Sequence, residues 1–126
     1  MGDLAELQAR IDATDGRFMA AFNAGDIAGA ARAAYTRDAT LMPPGAPAVR
    51  GLEDIVGFWT AAAPALGVER VQLSTVSLTP AGDLVCQIGR AVLTIGGQDA
   101  VGKYVVLWKE EDGELRWHVD IWNMDA

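Results

Sequence analysis

The sequence predicts an α+β fold, an antiparallel sheet with one face covered by three N-terminal helices. Three observations carry this. Apolar residues recur at helical spacing through the first half of the chain. The period changes to two from residue 68 onward. The later segments are joined by short turns rich in Gly, Pro and Asp. Helices grouped ahead of hairpin-linked strands indicate α+β rather than a doubly wound parallel sheet.

Residues 3–23 read as an amphipathic helix whose stripe is Leu4, Leu7, Ile11, Phe18 and Phe22, with Asp12, Asp15 and Arg17 largely off it. Asn23-Ala24-Gly25-Asp26 stops it and starts another, Gly25 suiting a left-handed cap and Asp26 an N-cap. The second helix spans about 27–36, with Ile27, Ala30, Ala31, Ala34 and Tyr35 as its apolar face. Residues 39–42 form a short strand, and the Pro-rich run 43–47 is irregular. A third helix spans about 52–63. Glu53 and Asp54 favour its first turn, Ile55, Phe58, Trp59 and Ala62 form its stripe, and Pro64 marks its end. Four strands follow, from residue 68, over 84–95, over 100–110 and over 115–123. Their turns are Pro80-Ala81-Gly82-Asp83, Gly96-Gly97 and Asp112-Gly113.

A chain of 126 residues fits one domain over 1–126, large enough to bury a core without staples. With 17 acidic against 10 basic residues the net charge is −7, which repels phosphate backbones and anionic bilayers, so neither nucleic acid nor membrane is an expected partner. The N-terminal residues Met1 to Glu6 do not read as a secretory signal, and a cytoplasmic setting is expected. One cysteine, Cys86, excludes an internal disulfide and reads as a small buried hydrophobe. With one histidine and one cysteine the chain cannot build a nitrogen- or sulfur-rich zinc site, so neither metal nor cofactor is expected. Gly96-Gly97 lacks the lysine and helix of a phosphate loop.

Several segments together carry a resemblance. They are Ala21-Phe22-Asn23-Ala24-Gly25-Asp26, Tyr35-Thr36-Arg37-Asp38-Ala39-Thr40-Leu41, the proline run and Arg50-Gly51. Gly102-Lys103-Tyr104, Trp108, Asp112-Gly113 and Asp120-Ile121-Trp122-Asn123 follow. The chain resembles the nuclear-transport-factor-2-like superfamily, which includes ketosteroid isomerase and SnoaL-like cyclases, and more closely its SnoaL-like domains of unknown function. The resemblance covers nearly the whole chain. It implies a cone, a curved sheet enclosing the helices with a pocket at the open end, and a homodimer formed through the outer sheet face. The fold alone implies no reaction. Where ketosteroid isomerase has its base, this chain has Pro43; its tyrosine donor falls at Phe18 and its protonated aspartic acid at Val105 or Val106. Ketosteroid isomerization is therefore not expected.

The last strand carries the polar candidates. Strict alternation puts Trp117, Val119 and Ile121 on one face and His118, Asp120 and Trp122 on the other. The resemblance places the second set in the pocket. Asp120 and His118, about 6–7 Å apart by strand rise, form a candidate general acid–base pair for isomerase, cyclase or dehydratase chemistry. Any i, i+2 pair shares a face, so a solvated or dimer-facing pair is the competing reading. A two-residue turn at Asp112-Gly113 would put Lys103, Val105 and Leu107 on the same face; a bulge would instead select Tyr104, Val106 and Trp108. Tyr35, Met42, Trp59, Gln87 and Trp122 are the expected pocket lining, with ordinary core packing as the alternative. Gly89 and Ala91 share the face of Gln87 and leave space for a cavity there. The expected ligand is a small apolar organic molecule; the alternative is a non-catalytic dimeric binding or accessory module.

Overall fold

The structure, a computed structural model, describes residues 3–126. The sequence reading at Met1 and Gly2 lies outside the described residues. Three helices, α1 (Leu4–Asn23), α2 (Ile27–Ala34) and α3 (Leu52–Leu66), accompany six strands. These are β1 (Tyr35–Met42), β2 (Val49–Arg50), β3 (Val68–Ala81), β4 (Leu84–Ile95), β5 (Gln98–Glu111) and β6 (Glu114–Met124). They form one open sheet in the order β2-β1-β6-β5-β4-β3, curved around the helices. Among the described residues no helix is long and apolar enough to cross a membrane.

The caps explain the helix starts. Asp3 accepts the Glu6 amide at 2.8 Å and Asp26 accepts the Gly29 amide at 2.9 Å, each satisfying an amide that has no partner within its helix. Gly25 adopts φ +88°, the turn the sequence assigned to it. α1 is held to the edge strand β3 by Asn23, whose Nδ2 donates to the Val71 carbonyl and whose Oδ1 accepts the Val71 amide. A backbone edge that would otherwise offer itself to another chain is thus partly occupied.

Several expectations need correction. α2 ends at Ala34, and Tyr35 opens β1 instead of closing the helix. β1 runs parallel to β6, so the sheet is antiparallel only in its four hairpin-linked strands and at β1–β2. The two-residue strand β2 carries no periodic signal, being too short to have a period. α3 continues through Pro64 to Leu66 and stops at Gly67, which takes φ +72°. Leu4 is exposed, whereas Asp15 is buried. Its position four after Ile11 and three before Phe18 puts Asp15 on the helix face turned to the sheet. Cys86 is half-buried, because alternation puts its neighbours Val85 and Gln87 inside.

Candidate functional site

The register of β6 decides what faces inward. Trp117 lies opposite Trp108, and Val119 lies opposite Leu107, so His118 is an extra residue in β6 with no opposite number. This is a β-bulge, and it breaks the alternation. Trp117, Asp120 and Trp122 all reach the interior, while Ile121 is exposed. The expected face shared by His118, Asp120 and Trp122 does not form. His118 Nδ1 lies 2.9 Å from Thr36 Oγ1 and 3.7 Å from Asp38, away from the cavity that Asp120 lines. The bulge selects Tyr104, Val106 and Trp108 as the inward residues of β5, and all three are buried.

Asp120 sits between Leu41 of β1 and Val106 of β5. Tyr35 Oη donates to Asp120 Oδ2 at 2.5 Å, and Trp59 Nε1 donates to Tyr35 Oη at 3.1 Å. A relay from α3 through the first residue of β1 thereby fixes the carboxyl group. Burial pushes Asp120 up to about 6, against the opposing effect of the Tyr35 hydrogen bond. Burial and the adjacent carboxylate raise the Tyr35 hydroxyl well above its usual value, so it remains a donor.

Beside Asp120 is a cavity of about 70 Å³ at the end of the sheet where β5 begins and β6 finishes. Phe18, Phe22, Trp59, Trp117 and Trp122 supply its aromatic walls, and Asp120 and Tyr104 its buried polar groups. The Trp59 and Trp122 indoles stack with centroids 5.7 Å apart and planes inclined 18°. Trp59 and Trp122 both line the cavity. Tyr35 lies behind Asp120 and does not line the space; Met42, opposite Ile121, does not reach it. Gln87 is buried but occupied, accepting from Trp108 Nε1 at 2.8 Å and donating to Thr75 Oγ1 at 2.8 Å. Only Ala91 of the small pair lines the cavity; the space over Gly89 is taken by the Tyr104 ring.

Asp15, read as off the apolar stripe, lies behind the Trp117 wall and does not line the cavity. It is buried, accepts from Trp117 Nε1 at 3.1 Å, and is pushed up to about 7, chiefly by burial. Its charge and that of Asp120 both act on the Tyr104 hydroxyl. The i+4, i+3 spacing from Ile11 to Phe18 was the signal that would have found it. Among the described residues no group of three or more His, Cys, Asp or Glu side chains is placed to hold a metal ion.

Three helices on a curved open sheet, with a carboxyl group at the edge of an aromatic-walled cavity, define an α+β cone of the nuclear-transport-factor-2-like kind. The chain belongs to the SnoaL-like domain family, whose model matches residues 16–118. No curated protein matches it. Among solved structures it is similar to a protein of unknown function from Mycobacterium tuberculosis, at TM-score 0.80 and 23% identity over 100% of this chain and 78% of that one. It is also similar to a cystatin-like-fold protein of unknown function from Nostoc punctiforme (TM-score 0.82, 14% identity, 100% and 96% covered). A ketosteroid isomerase-like protein from Erwinia carotovora atroseptica aligns at TM-score 0.74 and 20% identity, covering 94% and 95%. At these identities the likenesses show the fold alone.

Proposed function

We propose that this protein binds a small, largely apolar organic molecule in the aromatic-walled cavity and uses Asp120 as a general acid–base group upon it. The reaction classes that suit one such carboxyl are isomerization, cyclization and dehydration. Ketosteroid isomerization is not among them, since Pro43, Phe18 and Val105 or Val106 supply neither base nor donor. The observation that carries the reading is the Asp120 carboxyl, buried at the cavity edge and brought to about 6, where it both gives and takes a proton near neutral pH. Tyr35 and Trp59 position it. His118, directed to Thr36, has no direct part.

A second reading is favoured by two observations, the Tyr35 hydrogen bond that already satisfies Asp120 Oδ2 and the small size of the cavity. In it the protein is a binding or accessory module without chemistry. In either case we propose a homodimer formed through the outer sheet face, where Ile88, Val105 and Ile121 are exposed side by side. The lone Cys86 thiol suits a cytoplasmic setting.

The test is native mass spectrometry of the purified protein and of Asp120→Asn, with the released molecule then compared by chromatography, since isomerization leaves the mass unchanged. The expected result is an organic molecule retained by both and converted only by the unsubstituted protein. A molecule bound but unchanged by either leaves the binding module. Failure of both to retain or take up any apolar molecule removes the pocket reading.

A further inference from the structure

Two hydrogen-bond donors in the cavity wall have no partner. Tyr104 Oη and Trp122 Nε1 are buried and unbonded among the described residues. Such atoms are rare in native structures, because a buried donor left unpaired keeps the full cost of losing its water partners. A third unpartnered atom, Arg116 Nε, does not line the cavity, and its guanidinium is bonded to the Arg32 and Tyr35 carbonyls and to Glu114.

Tyr104 and Trp122 are a directly opposed pair on β5 and β6, and both line the cavity. Each ring is held by something else. Trp122 stacks on Trp59. Tyr104 lies across Gly89, its opposite number on β4, so closely that a Cβ there would overlap the ring and its hydroxyl. Fixed rings leave the donors little freedom to seek protein partners.

We propose that Tyr104 Oη and Trp122 Nε1 together hold the oxygen of a neutral carbonyl group on a flat, apolar ligand. The inference rests on the cavity being a ligand site, and adds what the ligand must carry. An indole N–H can only donate, so the ligand atom facing it is an acceptor. Asp15 and Asp120 act on the Tyr104 hydroxyl from nearby, so an anionic oxygen is repelled whenever either is ionised. A neutral carbonyl satisfies both donors without adding charge. Flatness follows from the stacked indoles, and apolar character from Phe18, Phe22, Val106 and Leu93 around them.

The experiment uses three probes of one shape, acetophenone, ethylbenzene and benzoate, with calorimetry on the full chain. Acetophenone is expected to bind about tenfold more tightly than ethylbenzene, the worth of one to two net hydrogen bonds, and benzoate more weakly than acetophenone. Tyr104→Phe and Trp122→Phe should each abolish most of that preference, read as the ratio of acetophenone to ethylbenzene affinity within each variant. The carbonyl stretch of ¹³C=O-labelled acetophenone should fall on binding to the unsubstituted protein and recover in Tyr104→Phe, which a purely structural tyrosine would not cause. Equal binding of acetophenone and ethylbenzene, or an unshifted carbonyl stretch, overturns the donor pair and leaves the pocket standing. Absence of binding by all three probes overturns the pocket and the donor pair with it.

Discussion

Tyr35 and Asp120, 85 positions apart in the chain, share a 2.5 Å hydrogen bond inside the protein, with the tyrosine hydroxyl as donor. The parallel pairing of β1 and β6 brings them together, and Trp59 holds the hydroxyl from the far side. Tyr35→Phe deletes the donor and leaves a half-buried indole N–H without its acceptor. The expected cost is about 1–3 kcal/mol in urea unfolding. Because the hydrogen bond opposes the effect of burial on Asp120, its loss should move the Asp120 titration, followed by ¹³C carboxyl NMR, above about 6. An unmoved titration would mean that the carboxylate draws no support from Tyr35.

Stability should fall as pH rises from the ordinary carboxyl range to neutrality. Burial raises Asp120 to about 6 and Asp15 to about 7, from an ordinary value of 3.8. Between that value and these, the folded state binds more protons than the unfolded chain, so the unfolding free energy decreases with pH. The stabilisation is complete below the ordinary carboxyl range and is lost as pH passes about 6 and then about 7. Glu53, lowered by Arg32, works in the opposite sense, but it lies exposed and screened. Urea unfolding across this range should show a loss of a few kcal/mol, with Asp15→Asn and Asp120→Asn each flattening part of the slope. Stability that climbed from pH 5 to pH 7 would contradict the burial of both acids.

What the sequence made legible was set by local physics. The period-two segments, Gly turns and caps at Asp26 and Gly25 are local signals, and the α+β class followed from them, whereas the parallel pairing of β1 with β6 did not. The site was less legible because it depends on register. One extra residue at His118 turns Trp117 inward beside Asp120 and removes His118 from the pair, and only pairing with β5 shows where the extra residue falls. Gln87 was correctly read as inward, yet its bonds to Trp108 and Thr75 are non-local contacts that alternation cannot report. Tyr35 was assigned to a helix face because the apolar spacing of α2 runs on into it, whereas its place at the start of β1 comes from pairing with Trp117.

Two glycines should respond oppositely to alanine. Gly89→Ala drives a methyl into the Tyr104 ring and should destabilise by about 1–3 kcal/mol, since overfilling a packed site forces side chains from their rotamers. Gly16, exposed within α1 with nothing within 4 Å of a new Cβ, should instead gain about 0.5–1 kcal/mol from a stiffer helix. Thermal unfolding of the two variants checks both signs. A neutral Gly89→Ala would show that the Tyr104 ring is free to leave its seat.

The outer face of the sheet bears on assembly. Ile88, Val105 and Ile121 lie directly opposite one another on β4, β5 and β6, each between 36% and 46% exposed, and Met42 of β1 extends the row. Single exposed apolar residues are ordinary, but a contiguous row across several strands is a feature of surfaces that meet a partner. In a two-fold interface each substitution acts twice, so Val105→Glu would set two buried carboxylates near the symmetry axis. Sedimentation velocity should show a dimer for the unsubstituted protein and a folded monomer for Val105→Glu. Ala13→Glu, at an exposed position of α1 away from the outer sheet face, should leave the dimer intact and so separate a local effect from one of net charge. A monomer at every concentration of the unsubstituted protein would remove the sheet face as a subunit interface, leaving the cavity and Asp120 to be judged within a single chain.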